Sequence, residues 1–412
     1  MSDYSSSGKT RPLPLAGVRV LALENFLSAP LATMWLGDAG AEVIKIEQPG
    51  KGDQSRNTAP QRPDENGRQQ GFSFLRTNRN KRSVTLDLKS PEGRQVFKQL
   101  AQKADIVVEN LRPGVMKNLG LGWTDLKEIN PRIIYVAVSG FGQPDIRASP
   151  YRDMPAFDIV AQALSGLMMR AERTGDKPVY VGFSLSDIQS GIVAADGAVL
   201  ALLQRGITGE GQLVDVAMYD SSLVFNELAV SFFSAFGTKP GPGVAAVTAP
   251  FGSYKATDGF IVIAVLGDDI WKRFCSVIGQ PQLVLEERFR DGVTRYANRT
   301  ELDGYITLWL ASRTRAQAVQ ALSSEGVPAA LVNDVDDILE CPHVAARELL
   351  VALHDPVWGE VRMPGNPLVM SGVPDVPLVH PPRLGQHTQE VLGEWLGLDA
   401  AQVQALRTRK VV

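Results

Sequence analysis

Short apolar runs and amphipathic segments alternate along the first half of this 412-residue chain. Val18–Leu23 is a short, partly β-branched run of the kind typical of a buried strand. The next segment predicts a helix over Ala29–Gly40, with Pro30 in its first turn, and Val43–Ile46 predicts a second strand. Because the connections are short, the two strands should be parallel. The chain therefore begins with a βαβ unit.

The alternation resumes after Gln48–Gln70, a polar stretch that predicts a long surface loop. Strands are predicted at Ser83–Leu88, Asp105–Val108 and Ile133–Val138, and a helix at Ser90–Ala104, with Ser90 as its N-cap. Strands that alternate with helices in this way indicate an α/β fold with a Rossmann-like, doubly wound sheet.

The later part of the chain changes character. Leu223–Phe236 predicts an aromatic-rich helix, Gly237–Gly243 a flexible segment, and Pro250–Val265 two strands around a turn. A chain of this length favours two domains. We expect a disordered tail at 1–13, a large domain formed by 14–224 together with 331–412, and a smaller α+β domain inserted at 225–330.

Composition and charge exclude several classes of protein. The formal net charge of −3 argues against a nucleic-acid partner, which requires a surplus of basic side chains. No apolar run reaches the roughly 18 residues of a membrane span, and the N-terminus lacks the apolar core of a signal peptide, so we expect a cytoplasmic protein without a membrane partner. Cys275 and Cys341 have no CxxC spacing and predict neither a disulfide framework nor a zinc site.

All the histidines lie near the C-terminus, without a metal-ligand spacing; they are His343, His354, His380 and His387. The sequence therefore offers few candidate residues for metal chemistry or for a Ser-His-Asp triad, and we expect no metal site. Nucleotide motifs are also missing: the turn at Glu24–Pro30 contains no glycine, and no GxxxxGK[ST] segment occurs. Carboxylates remain as the candidate nucleophiles.

Asp187 lies at the start of a long apolar helix whose hydrophobic positions recur up to Gly206. One interpretation makes Asp187 or Ser186 an N-cap and nothing more. In the other, the free N–H groups and dipole of the helix N-terminus keep the Asp187 carboxylate ionised in a ligand crevice of the sheet. The residues alone do not decide between the two.

Several short motifs occur in an order that is specific to one family. They are Pro14–Val20, Leu36–Glu47, Asn80–Ser83, Leu86–Lys89, Val108–Gly114, Ser139–Gly142, Phe157–Asp158, Gln162–Ala163 and Thr208–Gln212. In this order the chain resembles the class III CoA-transferases, the group that contains formyl-CoA:oxalate and carnitine CoA-transferases. The resemblance extends from Pro14 to Leu396.

The resemblance implies a mechanism and an architecture. The family's nucleophilic aspartate matches Asp187, so CoA should pass from an acyl-CoA donor to a free carboxylic acid through an aspartyl-CoA thioester on Asp187. The CoA thioester is then a substrate and no cofactor is bound permanently. The family suggests succinyl-CoA as the donor, while the sequence leaves the acids that exchange CoA open. The family also implies an interlocked homodimer.

The resemblance further implies the site residues. With Asp187, the catalytic set contains Gly140 and Phe141, whose loop either stabilises an oxyanion or is an ordinary turn. Residues expected to contact CoA are Phe26, Leu27, Ser28, Gln48, Leu86, Lys89, Asn110, Leu111, Arg112, Asn118 and Ser139. Gln48 and Asn118 replace family arginines, and Leu27 replaces a glutamine, so individual phosphate contacts stay open.

Three further alternatives also stay open. The basic run Arg76–Arg82 either contacts the phosphates of CoA or is mostly a solvated surface. Gly237–Gly243 resembles the family's glycine loop but is equally typical of an interdomain linker. The activity could instead be that of an α-methylacyl-CoA racemase, although Phe157-Asp158 stands where racemases have His-Asp, or the chain could be a non-catalytic CoA-binding subunit.

Overall fold

The computed structural model describes residues 12–171, 177–241, 248–374 and 378–412. The chain divides into two compact units, one formed by Met1–Pro242 with Leu349–Val412 and the other by Gly243–Glu348. The tail expected at 1–13 and the end of the expected glycine loop Gly237–Gly243 lie largely outside the described residues.

The described strands are β1 Arg19–Leu23, β2 Glu42–Glu47, β3 Gln61–Pro63, β4 Gln69–Gly71, β5 Lys81–Thr85, β6 Ile106–Glu109, β7 Ile134–Ser139, β8 Leu213–Ala217, β9 Phe251–Ala256, β10 Gly259–Ala264, β11 Ala329–Leu331, β12 Leu350–Asp355 and β13 Gly359–Pro364.

The described α-helices are α1 Ser28–Asp38, α2 Phe72–Leu75, α3 Pro91–Ala101, α4 Val115–Asn118, α5 Trp123–Ile129, α6 Asp158–Leu164, α7 Leu167–Arg170, α8 Leu185–Thr208, α9 Met218–Leu223, α10 Glu227–Phe236, α11 Asp268–Val277, α12 Gly292–Ala297, α13 Arg299–Leu310, α14 Arg315–Ser324, α15 Val335–Leu339, α16 Pro342–Ala346, α17 Thr388–Leu396 and α18 Ala400–Thr408.

A six-stranded sheet forms the centre of the larger unit, in the order β5-β2-β1-β6-β7-β8. Every pair of neighbours in it is parallel. The order reverses at β1, whose Val20 pairs with Val43 on one side and with Ile106 on the other. In a doubly wound sheet the carboxyl ends of the two strands at such a reversal diverge and leave a crevice for ligands.

Each face of the sheet has its own hydrophobic core. On one face, the core includes Phe97 of α3, Trp395 of α17 and Val403 of α18. On the other, it includes Leu36 of α1 and Ala198 of α8. Because both faces are covered, the inner strands β1, β6 and β7 are apolar at successive positions and lack the alternation of a half-exposed sheet. This α/β architecture with a parallel sheet is the fold that the sequence predicted.

Helix α8 is long and apolar enough, by length and composition alone, to cross a membrane. Its buried face packs in the core against α1, as expected of a core helix. Gly191 permits this close approach, because an added Cβ would lie 2.6 Å from the carbonyl oxygen of Ser28. The contact brings the first turn of α8 beside the loop that follows β1.

The smaller unit contains a three-stranded antiparallel sheet in the order β11-β10-β9. Its core joins Ile261 of β10, Phe274 of α11 and Ile306 of α13. Arg295 is almost completely buried there, and its guanidinium donates to the carbonyl oxygens of Ala249 and Phe289.

The boundaries between the two units fall at 242/243 and 348/349, later in the chain than the boundaries expected at 224/225 and 330/331. Hydrogen bonds account for both differences. Asn226 donates to the carbonyl of Ser165 and Arg170 to that of Pro240, which joins α10 and its surroundings to the larger unit. Arg315 donates to the carbonyl of Val332, so the segment after β11 stays with the smaller unit.

Candidate functional site

A cavity of about 830 Å³ opens at the carboxyl ends of the central strands of the larger unit. Its walls are the loops after β1, β6 and β7, together with the start of α8. Asn25–Ser28, Asn110–Pro113 and Ser139–Phe141 are those loops. The cavity therefore occupies the crevice at the point where the strand order reverses.

Asn110 connects the two loops on either side of this crevice. Its Oδ1 accepts the N–H of Asn25 at 2.8 Å, and its Nδ2 donates to the carbonyl of Asn25 at 2.8 Å and to Ser28 Oγ at 3.2 Å. These three bonds use the side-chain amide as a bridge between β1 and β6. Asn110 thus fixes the shape of the cavity floor.

Phe26 has a backbone conformation that is unusual for a bulky residue, with φ at 62°. Its N–H donates to Asp53 Oδ1 at 3.2 Å, and Asp53 forms a buried salt bridge with Lys45 at 2.8 Å. Such a conformation costs about 1–3 kcal/mol and persists where the surroundings over-determine it. The Asp53–Lys45 pair supplies that constraint beneath the cavity.

Asp187 is the third residue of α8 and lines the cavity. The N-cap is Ser184, and no side chain on the helix start makes a capping hydrogen bond. Within the described residues, no hydrogen bond or salt bridge reaches the Asp187 carboxylate. The interpretation of Asp187 or Ser186 as an ordinary N-cap is therefore wrong.

Asp158 does the capping from a different helix, at the first position of α6. Its Oδ1 accepts the N–H groups of Ser186 at 2.7 Å and Asp187 at 3.2 Å. Its Oδ2 accepts Gln162 Nε2 at 2.8 Å and the hydroxyl of Tyr180 at 3.0 Å. Four donors converge on this buried carboxylate, which anchors the first turn of α8 and places its own negative charge next to Asp187.

Burial raises the pKa of Asp187 to about 7, the negative charge of Asp158 adds to the increase, and Arg76 opposes it. The functional interpretation of the sequence expected a carboxylate kept ionised by the helix N-terminus. The structure differs, because Asp158 already occupies the N–H groups that would have stabilised the charge. A carboxylate with a pKa near 7 is poised between its charged and neutral forms at neutral pH.

The loop after β7 supplies the opposite wall. Gly140 must lack a side chain, because an added Cβ would lie 2.3 Å from the Cβ of Ala156. Ser139 Oγ accepts the N–H of Gly142 at 2.9 Å, and the ring of Phe141 packs edge-on against Tyr151. The ordered turn holds Ser139, Gly140 and Phe141 along the cavity wall.

The predicted site residues separate into two groups. The cavity is lined by Asp187, Gly140, Phe141, Phe26, Leu27, Ser28, Asn110, Leu111, Arg112 and Ser139. It is not lined by Gln48, Leu86, Lys89 or Asn118. Leu86 is only 2% exposed and belongs to the core, so its side chain is a packing group. The other three are exposed outside the cavity.

The cavity also contains residues that the sequence did not assign to the site, among them Asp158 and Tyr180, and it contains Arg76, whose role the sequence left open. Asp158 stood in a recognised motif next to Phe157, and Gln162 four residues later was a signal that its carboxylate has a local partner. The members of the basic run Arg76–Arg82 differ in burial, which their charge alone does not predict. Arg79 and Lys81 are each 1% exposed, whereas Arg76 faces the cavity.

No group of His, Cys, Asp and Glu side chains suited to a metal ion occurs in the ranges that the structure describes.

A family model described as CoA-transferase family III matches residues 15–388. The chain belongs to CoA-transferase family III. The family identifies it as an enzyme that transfers CoA, as the order of the sequence motifs predicted.

Two relatives and one solved structure are similar to this chain over most of its length. The succinyl-CoA–D-citramalate CoA-transferase of Chloroflexus aurantiacus is 35% identical over 409 residues, which cover 98% of this chain and all of the relative. The acetyl-CoA:oxalate CoA-transferase of Acetobacter aceti is 38% identical over 365 residues, 88% of this chain and 90% of the relative. A CaiB/BaiF family protein from Brucella suis superposes with a TM-score of 0.81 at 30% identity, over 93% of this chain and all of that one.

Proposed function

We propose that this CoA-transferase moves CoA from an acyl-CoA donor to a small carboxylic acid through an aspartyl-CoA thioester on Asp187. One observation carries the proposal: the Asp187 carboxylate lies without a hydrogen bond or salt bridge from the described residues, at the ligand crevice of the sheet. A partly buried carboxylate without compensation is costly for the fold. Such a cost is typical of a group that is kept for chemistry.

The reaction preserves an activated acyl bond at each step. An oxygen of the Asp187 carboxylate attacks the thioester carbon, the C–S bond breaks, and CoA leaves as a thiolate, so that a mixed anhydride of Asp187 and the donor acid remains. The thiolate then attacks the aspartyl carbon, the anhydride C–O bond breaks, and the donor acid leaves as a carboxylate. The acceptor carboxylate repeats the two steps in reverse, so the acceptor receives CoA and Asp187 is regenerated.

The loop after β7 is suited to stabilise the negative charge that develops on the attacked carbonyl oxygen. Gly140 and Phe141 line that wall of the cavity, and we propose that their backbone N–H groups are the donors, because backbone donors stabilise tetrahedral intermediates. Arg112, on the loop after β6, supplies a positive charge for the phosphates of CoA. This assignment gives each wall of the cavity its own role.

Two observations support transfer of CoA to an acid over racemisation. The relatives named above act on D-citramalate and oxalate, both of which are diacids, and we propose a small diacid as acceptor here. Phe157 lines the cavity where a racemase needs a group that exchanges protons. A phenyl ring cannot take part in proton transfer at a substrate carbon.

We further propose that the enzyme is a homodimer. Helix α8 exposes Leu200, Leu203 and Ile207 on the side away from the sheet, and α10 exposes Phe233 and Phe236. Exposed apolar side chains concentrated on two helices are typical of a subunit interface. Sedimentation at low micromolar concentration should show one species near twice 44.6 kDa, and an active monomer would contradict the proposal.

The mechanism is tested by substituting Asp187→Asn, which keeps the shape of the side chain and removes the nucleophile. Transfer should fall by about a thousandfold or more, because the covalent route is lost. In the wild type, incubation with acyl-CoA without an acceptor should add CoA to the peptide that contains Asp187, and hydroxylamine should remove it.

Asp336→Asn is a control, because Asp336 is an exposed aspartate in the first turn of α15, outside the cavity. It should transfer CoA at the wild-type rate. Substantial activity of Asp187→Asn, or an adduct on a different peptide, would overturn the aspartyl-CoA mechanism.

A further inference from the structure

Arg76 is a cavity residue to which the reaction derived above gives no role. It follows α2 directly, and the turn that carries it is fixed by its neighbours: Asn78 Nδ2 donates to the carbonyl of Phe74 at 2.9 Å, and Thr77 Oγ1 lies 3.5 Å from the carbonyl oxygen of Phe26. Arg76 therefore lines the cavity from a position adjoining the loop after β1.

The other guanidinium groups of the same basic run are already paired. Arg79 forms a salt bridge with Asp38 at 2.7 Å, and Arg82 forms salt bridges with Glu42, Glu390 and Glu394. Arg76, in contrast, has no hydrogen bond or salt bridge with any residue of the described ranges. An exposed guanidinium aimed at the same cavity as the nucleophile is available to an anionic substrate.

The remaining cations of the cavity are placed differently. Arg152 is paired with Asp153 at 3.3 Å, and Arg112 lies on the loop after β6, beside Leu111 and Pro113. The charge of Arg76 is felt at Asp187, whose pKa it lowers against the effects of burial and of Asp158. Arg76 is thus the cation that acts on the reacting end of the cavity.

We propose that Arg76 is a specificity-determining residue, which binds the second carboxylate of a diacid while the first carboxylate reacts at Asp187. The planar fork of a guanidinium matches a carboxylate with two parallel hydrogen bonds. This inference rests on the proposed function and extends it, because it names the group that separates diacids from simple acids.

The phosphates of CoA are a poorer match for Arg76. In CoA the whole pantetheine arm separates the phosphates from the sulfur. A cation close enough to Asp187 to influence its ionisation therefore lies at the acyl end of a bound thioester, far from the phosphates. A diacid, in contrast, carries its second charge only a few bonds from the reacting carboxylate.

The test compares Arg76→Gln with the wild type on two matched acceptors, glutarate and its monoamide, which differ in the charge of the distal group. Measurement at pH 9 keeps Asp187 ionised in both proteins, so that a change in its pKa does not enter. We expect kcat/KM for glutarate to fall about tenfold to a hundredfold, which is the range for a lost charge-assisted pair. The value for the monoamide should stay within about twofold.

Two further variants sharpen the result. Arg76→Lys keeps the charge without the fork, so it should recover part of the preference for the diacid. Arg68→Gln makes the same change at an exposed arginine earlier in the same connection, outside the cavity, and should leave both acceptors unaffected. Circular dichroism and melting temperature establish that each variant is folded.

An equal loss for both acceptors would overturn the inference, since it would place Arg76 on CoA or on Asp187 itself. An unchanged ratio with unchanged rates would overturn it as well. Failure of the proposed function gives a different result: the wild type would then transfer CoA to neither acid, nor to other acids of a broader panel.

Discussion

Glu24 and Asp187 are two carboxylates at the same edge of the larger unit, and their surroundings are opposite. The Glu24 side chain is fully buried and accepts salt bridges from Lys45 at 3.2 Å and from Lys81 at 2.6 Å. Asp187 has no such partner within the described residues and has Asp158 as its charged neighbour.

Burial raises the pKa of both carboxyl groups, and the neighbours decide the outcome. At Glu24, the two lysines outweigh burial and lower the pKa. At Asp187, Asp158 adds to burial, and the pKa rises to about 7. Glu24 therefore stays ionised as a structural charge. Asp187, in contrast, can gain or lose a proton, or form a bond, near neutral pH. Breaking either arrangement tests this distinction.

The largest effect on stability is expected from Lys81→Met. This change leaves Glu24 with one lysine and leaves a buried negative charge partly uncompensated, and it also removes donors to Pro30 and Asn78. Removing one partner of a buried ion pair costs about 3–5 kcal/mol in the free energy of unfolding. Urea denaturation followed by circular dichroism would measure the loss.

Arg82→Met is the matched control for that prediction. Arg82 is the next residue of β5 but points to the other side of the strand, and its salt bridges with Glu42, Glu390 and Glu394 lie near the surface. Surface ion pairs of this kind contribute about 0–1 kcal/mol, and less at high salt. Equal losses for the two variants would contradict the distinction between buried and surface charges.

The neighbouring positions Lys81 and Arg82 also show which features the sequence predicts. It predicts local elements but not which charged side chains become buried. Local patterns predicted the β1-α1-β2 unit, and the predicted N-cap Ser90 accepts the N–H of Gly93 at 2.9 Å. Apolar runs and caps are local properties, so a single chain reveals them. Which members of a basic run become buried depends on distant carboxylates such as Glu24.

Two elements were not predicted because their local hydrophobic pattern is weak. Strand β8 was missed because Asp215 interrupts its short apolar run, although the strand pairs with β7 over its whole length. Helix α18 was missed because only Val403 and Leu406 of its nine residues are buried, which is too few to form a recognisable helical pattern of hydrophobic positions. At the site, Asp187 was identified through a resemblance, but its bond to Asp158 joins residues 29 positions apart, which only the tertiary fold brings together.

The next effect in size is a gain in stability from Asp187→Asn. The pKa of Asp187 is raised from 3.8 to about 7 by folding, so the folded state binds more protons than the unfolded chain between those values. The stability of the wild type therefore falls as pH rises through that window, and the loss is complete above it. The side chain of the Asp187→Asn variant carries no charge, so the variant does not lose stability as the pH rises through this window.

We expect Asp187→Asn to be about 2–4 kcal/mol more stable than the wild type at pH 8, with a difference that vanishes near pH 4. Thermal melts across this range would measure it, and Asp336→Asn, an exposed change in the first turn of α15, should show no such pH dependence. A variant that is less stable at pH 8 would mean that the Asp187 charge stabilises the fold, as the charge of Glu24 does.

The smallest expected effect concerns Asp158→Asn and the pH dependence of the first half-reaction. Donor cleavage needs ionised Asp187, so kcat/KM for the acyl-CoA should rise with pH and level off above about 7 in the wild type. Asp158→Asn removes the negative charge that raises the pKa of Asp187, and its remaining carbonyl oxygen can still accept the N–H groups of Ser186 and Asp187. The rise should therefore shift to lower pH.

Each rate must be normalised to its own plateau, because the variant also loses the acceptor for Gln162 and Tyr180, which lowers the rate at every pH. After normalisation, we expect Asp158→Asn to be about threefold to tenfold faster than the wild type at pH 5.5, since one pKa unit corresponds to a factor of ten. Stopped-flow release of CoA thiol would measure this. A merely structural Asp158 would lower the plateau without moving the midpoint, and that result would assign the raised pKa of Asp187 to burial alone.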